Sequence, residues 1–125
     1  ITTPIFLKIS PDEPNQVIDM LIEVLENSKI SGVIATNTTI DKSNILNKKF
    51  RSIDGGLSGV PLMEKATEKL SYIHGKSSHL PLIGVGGVTS KEDYEMKLQA
   101  GAQLVQIYTG FVLKGPKIIN EILSE

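Results

Sequence analysis

The sequence predicts an α/β fold built on a parallel sheet, and three observations carry that reading. Short apolar runs alternate with amphipathic helix patterns four times along the 125 residues. The runs are continuously apolar rather than alternating, as parallel strands covered on both faces are. Nothing in the composition competes: there is no cysteine to staple a small scaffold, and no run approaches the ~20 apolar residues of a membrane span.

Ile5-Phe6-Leu7-Lys8-Ile9 reads as the first strand, stopped by Ser10-Pro11. The helix after it places Val17, Leu21, Val24 and Leu25 on one face, with Asp12 available as its cap and Pro14 tolerated in its first turn. Gly32-Val33-Ile34-Ala35-Thr36 is the second strand. The polar stretch from Asn37 to Gly59, with Gly55-Gly56 inside it, reads as a long loop. After Pro61, a helix carries Leu62, Ala66, Leu70 and Ile73 on one face. Leu82 to Gly86 is the third strand. Ser90 with Asp93 resembles a capping box, and Gly101 suits the C-terminal cap of that helix. Leu104 to Tyr108 is the fourth strand, and Pro116 opens a last helix bearing Ile118, Ile119, Ile122 and Leu123.

Four βα units are half of the eight that close a TIM (β/α)8 barrel of roughly 250 residues. Such a half leaves two parallel edges unpaired. The chain is therefore expected to be the C-terminal half of a barrel, with residues 1–125 forming part of one domain. It opens Ile1-Thr2-Thr3-Pro4, without Met or an apolar leader, as the interior of a longer protein does.

Composition narrows the function. A hydrophobic content of 40% with 22% charged residues is that of a globular protein, and a net charge of −1 gives no basic surface for nucleic acid. Without cysteine there is no thiolate nucleophile or thiolate metal site. His74 and His79 lack metal-ligand spacing and read as surface residues, and the acids Glu13, Glu23, Glu26, Glu64, Glu68, Glu92 and Glu95 read as solvated helix faces. The four basic residues between Lys42 and Arg51 read as a solvated loop.

Chemistry in such barrels sits at the C-terminal strand ends. Here those ends are Lys8, Thr36-Asn37-Thr38, Gly86-Gly87 and Tyr108-Thr109. The last two offer free backbone N–H groups and hydroxyls side by side, which suits a phosphate. Lys8, a cation in an apolar strand, either stabilises negative charge on a ligand or snorkels to solvent. Asn37 can donate and accept in one plane, as reading a ring amide requires, though an Asx turn uses the same residues. Gly55-Gly56-Leu57-Ser58-Gly59 lets backbone approach a flat ligand, or forms an ordinary flexible loop. Gly84-x-Gly86-Gly87 is not a dinucleotide fingerprint, since Thr89 stands at its sixth position.

Five strings in register resemble the dihydroorotate dehydrogenase family. They are Phe6-Leu7-Lys8-Ile9-Ser10-Pro11-Asp12, Ile34-Ala35-Thr36-Asn37-Thr38-Thr39, Gly55-Gly56-Leu57-Ser58-Gly59-x-Pro61-Leu62, Ile83-Gly84-Val85-Gly86-Gly87-Val88, and Ala100-Gly101-Ala102 with Val105-Gln106-Ile107-Tyr108-Thr109-Gly110. The Thr-Asn-Thr-Thr form resembles the quinone-dependent, membrane-associated class. Two small departures are Ser10, where Ala is frequent, and Val60, where a basic residue is common.

The resemblance implies a TIM barrel that binds flavin mononucleotide (FMN) and oxidises dihydroorotate to orotate in pyrimidine synthesis. It implies that Lys8 contacts the flavin's pyrimidine edge and favours the anionic reduced form. Thr36, Gly59, Gly86 and Gly87 would contact FMN, with Tyr108 and Thr109 at its phosphate. Asn37 and Thr38 would hold orotate. The catalytic base, a serine in this class, would lie outside these residues, as would the quinone site and the helices that touch the membrane. The whole protein would then be a peripheral membrane protein, on the cytoplasmic side of a bacterial inner membrane or on the mitochondrial inner membrane. Another FMN barrel acting on a pyrimidine, or a non-catalytic phosphate-binding half-barrel, is the alternative.

Overall fold

The computed structural model describes residues 3–124, so Ile1 and Thr2 of the opening segment lie outside the described residues. The elements run β1 (Phe6–Ile9), α1 (Asn15–Glu26), β2 (Gly32–Ala35), α2 (Lys48–Arg51), a 3-10 turn (Val60–Leu62), α3 (Met63–Lys76), β3 (Leu82–Val85), α4 (Lys91–Gln99), β4 (Leu104–Gln106), α5 (Thr109–Lys114) and α6 (Lys117–Leu123). The strands form one parallel sheet in the order β1-β2-β3-β4. This is half of a TIM barrel, with β1 and β4 as its outer strands.

Register divides the sheet into two faces. Lys8 lies beside Ile34, Ile34 beside Ile83, and Ile83 beside Leu104. The neighbouring positions Ile9, Val33, Ala35 and Leu82 are buried under the helices with Ile18, Ile22, Leu70 and Ile73. Strands expected to be covered on both faces are thus covered on one. Lys8 and Leu104 on the opposite face are exposed, and β4 shows the least burial. The apolar residues of that face belong to the interior of a closed barrel, where layers of side chains from all eight strands fill the space.

Two expectations about α1 change. Its buried face is Ile18, Ile22 and Leu25, while Val24 points to solvent. Asp12 does not cap it: the N-cap is Pro14, with no side-chain bond. The Asp12 carboxylate is engaged instead by Thr39, Ile40 and Lys65. The α3 face is as expected, with Leu62, Ala66, Leu70 and Ile73 all buried. Ser90 caps α4 by accepting from the Asp93 N–H at 3.1 Å. The return bond of the box reaches one residue further out, where Asp93 Oδ2 accepts from the Thr89 N–H and hydroxyl, both at 2.9 Å. Gly101 follows α4 with φ +106°. The last helix is α6, opened at Pro116 as expected, and of its four apolar residues Ile118 and Ile122 are buried; α5, before it, is a helix the sequence reading did not place. The long loop carries α2 and a bridge between Thr39 and Leu57, and its basic residues stitch it internally: Arg51 donates to Ser43 O and Ile45 O, and Lys42 to Ile53 O.

Lys97 is a feature the polar sequence of α4 hides. It is fully buried, with Nζ donating to Thr67 Oγ1 at 2.7 Å and lying 3.5 Å from Met63 O. Burial pushes its ammonium down to about 8, against the opposing pull of Asp93. An unfolded lysine titrates near ~10.4. Below pH 8 both states are protonated, and above that the unfolded chain alone keeps the proton, so stability rises with pH. The expected gain of wild type over Lys97→Met between pH 8 and pH 10 is roughly 2–3 kcal/mol. Parallel denaturant curves of the two proteins across that range would contradict it.

Candidate functional site

The C-terminal ends of the four strands open into one cavity of about 320 Å³. Each wall comes from a strand end. Lys8 reaches it from β1, and Thr36, Asn37 and Thr38 from the turn after β2. Gly86 enters after β3, and Tyr108 and Thr109 after β4. Gly59 and Ser58 close it from the long loop. Eight of the nine residues expected at the site therefore share this cavity. Gly87 does not line it. Gly87 is buried, and its α-carbon faces α3, where a Cβ would meet Met63 Cβ at 2.5 Å and Met63 Cα at 2.6 Å.

Local hydrogen bonds set the polar wall. The Thr36 N–H donates to Val85 O at 3.2 Å and the Asn37 N–H to Ile9 O at 2.7 Å, so the turn after β2 is tied to the strands on either side. Buried Thr36 donates its hydroxyl to Asn37 O at 2.8 Å. That leaves the side chains of Asn37 and Thr38, both exposed, free to face a ligand. Gly56 is required beside them, since a Cβ there would sit 1.9 Å from Thr38 Oγ1.

The opposite wall is built for close approach. Gly59 and Gly86 have φ of +75° and +113°, which L side chains rarely adopt, so bare backbone lines the cavity at both. Ser58 and Thr109 hydroxyls lie 2.9 Å apart. The first N–H groups of α5, starting at Thr109, have no acceptor within the helix. This donor set fits the phosphate and the flat ring system of a flavin nucleotide. Lys8 takes no part in the ion pairs formed among the described residues, so its charge is available to a ligand.

Among the described residues, no carboxylate or imidazole lines the cavity. These residues can bind, orient and stabilise charge, but they supply no proton acceptor of ordinary carboxylate or histidine type. Sequence reasoning missed Gln106 and Ile107 on the wall. Gln106 carried a signal, being a polar residue inside the apolar fourth strand.

Behind the polar wall lies an ionic cluster. Asp12 Oδ1 accepts from Thr39 Oγ1 and Lys65 Nζ, each at 2.5 Å, and Asp12 Oδ2 from the Ile40 N–H at 2.8 Å. Burial pushes the Asp12 carboxyl up, but the bonds from Lys65, Thr39 and Ile40 outweigh it and hold it below the usual range. Lys65 is raised, chiefly by its bond to Asp12. A second, larger groove of about 950 Å³ runs between α3 and α4 on the outer surface and holds none of the strand-end residues. The two histidines lie apart from both: His79 is exposed 3.6 Å from Glu26, and the His74 ring packs beside Gly101. No cluster of metal-ligating side chains occurs among the described residues.

Comparison with known proteins gives the same picture. The family model for dihydroorotate dehydrogenase matches residues 1–125. Over 122 residues the chain is 45% identical to the dihydroorotate dehydrogenase (quinone) of Dichelobacter nodosus, covering 98% of this chain and 36% of that protein. Over 120 residues it is 46% identical to the protein of the same description from Christiangramia forsetii, covering 95% and 35%. The crystal structure of Eimeria tenella DHODH in complex with ferulenol superposes with a TM-score of 0.89 at 29% identity, covering 95% of this chain and 32% of that one. The chain thus spans about a third of the length of the relatives it matches.

Proposed function

Since the chain belongs to the dihydroorotate dehydrogenase family, we propose that it supplies the C-terminal half of an FMN-dependent enzyme that oxidises dihydroorotate to orotate and passes the electrons to a quinone. The observation that carries this reading is the convergence of Lys8, Thr36, Asn37, Thr38, Gly59, Gly86, Tyr108 and Thr109 on one cavity. Bound FMN supplies the two-electron acceptor chemistry. Lys8 places a fixed positive charge where negative charge develops, and Gly59 and Gly86 let the ring and phosphate approach backbone. Tyr108 and Thr109 receive the phosphate, and Gly87 seats the turn that carries Gly86. Asn37 and Thr38 orient the substrate ring from the opposite wall. The proton acceptor, the quinone site and the membrane-contacting part come from the rest of the protein. No helix among the described residues is long and apolar enough to cross a membrane.

The full-length protein is expected to show a flavin absorbance spectrum and dihydroorotate-dependent quinone reduction. A flavin-free preparation that is silent with dihydroorotate would overturn the reading. A flavin-loaded protein reducing another pyrimidine instead would shift it to a different substrate. Within the site, Asn37→Ala is expected to weaken orotate binding by about 1–3 kcal/mol, because a polar group of the ligand loses its partner in a desolvated site. Calorimetry on the flavin-replete variant checks this, and an unaltered orotate affinity would contradict it.

A further inference from the structure

We propose that Asp12 and Lys65 are positioning residues for substrate: together they clamp the Asn37-Thr38 turn from behind and so set its affinity for the ligand ring. The inference rests on the function proposed above and adds two residues to it.

Neither residue lines the cavity. Their effect passes through Thr39, which is buried directly after Thr38. Backbone bonds fix Thr39 on one side: its N–H donates to Leu57 O at 3.1 Å, and Leu57 N–H donates to Thr39 O at 2.7 Å. Its hydroxyl and the following N–H are held on the other side by the two oxygens of the Asp12 carboxylate, at 2.5 and 2.8 Å. Lys65, from α3, bonds the same carboxylate, lies 3.2 Å from Thr39 Oγ1, and pairs with Asp41 at 3.6 Å. Three segments far apart in sequence therefore meet at one residue: the turn after β1, the turn after β2, and α3.

The consequence is mechanical. Asn37 and Thr38 sit on exposed backbone whose near end is anchored to β1 and β3 through Thr36 and Asn37. The far end is anchored only at Thr39. Releasing the clamp leaves that end held by the Leu57 bridge alone and makes ligand binding bear more of the entropy of ordering it, without touching the glycine and hydroxyl wall across the cavity. Substrate affinity and flavin retention should thus separate. A residue that merely stabilised the fold would move both.

The test uses the full-length, flavin-loaded protein with Lys65→Met, Lys65→Arg and Asp12→Asn. Lys65 is partly exposed, so its variants leave the core intact. Lys65→Met and Asp12→Asn are expected to weaken orotate binding about tenfold, the lower end of what a charge-assisted hydrogen bond contributes. The KM for dihydroorotate should rise with it, while flavin content and kcat stay within about twofold. Lys65→Arg keeps the cation and should restore orotate affinity. Orotate affinity unchanged in Lys65→Met, or lost in step with flavin, would overturn the proposal. Hydrogen exchange at the Ile40 amide is the second readout and needs no ligand. It should accelerate in Asp12→Asn, and unchanged protection would overturn the clamp. Wild-type protein that binds neither flavin nor orotate would refute the proposed function instead, with the amide still reporting on the clamp.

Discussion

Lys8→Ala in the full-length protein is expected to slow flavin reduction by dihydroorotate by about 10²-fold or more, the effect of removing one preorganised donor to developing charge. The cation stands on β1 among Phe6, Leu7 and Ile9, at a register position shared with the apolar Ile34 and Ile83. It lines the cavity and joins no ion pair among the described residues. A lysine placed so is costly to desolvate unless a ligand supplies negative charge. Under the function proposed above, the strand-end position would bring that charge to the ring that takes up the electrons. Pre-steady-state mixing of the oxidised, flavin-replete variant with dihydroorotate measures the step directly. Reduction at the wild-type rate would return Lys8 to a solvent-facing role.

The parts of this site that were legible in sequence are those fixed by chain-local rules. A strand end in a parallel α/β fold is a place, and Lys8, Thr36 to Thr38, Gly86 and Tyr108-Thr109 could be put there from apolar runs alone. The α3 face was readable because Leu62, Ala66, Leu70 and Ile73 match only one helical phase. The α1 face was not. Apolar residues at 17, 18, 20, 21, 22, 24 and 25 satisfy more than one phase, and packing against α3 and the sheet selects Ile18, Ile22 and Leu25.

What could not be read were the pairings made by tertiary structure. Asp12 has every local feature of a helix cap, yet its carboxylate is taken by Thr39 and Lys65, 27 and 53 residues away. Lys97 sits in a helix whose composition is that of a solvent face, and only docking on α3 buries it. The glycines divide in the same way. A turn after β3 was legible, but not that Gly86 lines the cavity while Gly87 packs on α3.

That division gives the second large effect, because the substitution acts on the fold and through it on the flavin. Gly87→Ala puts a methyl 2.5 Å from Met63 Cβ, 2.6 Å from its Cα and 2.8 Å from its N, so backbone rather than a flexible side-chain tip must move. The residue also has φ +79°, which costs an L residue about 1–2 kcal/mol. Overpacking adds typically ~1–3 kcal/mol. The sum, roughly 2–5 kcal/mol, is a large share of the ~5–15 kcal/mol that holds a domain together. The strain enters at the first turn of α3 and at the turn carrying Gly86, so the variant should lose flavin before it unfolds. Gly55→Ala is the matched control: φ is +105° there too, but nothing lies within 4 Å of the added methyl. Gly87→Ala is expected to release most of its flavin on dialysis and to melt well below wild type, while Gly55→Ala keeps its flavin and loses only the backbone term. Equal flavin content and equal melting temperatures in the two variants would mean that the contact with Met63 does not position the phosphate-side turn.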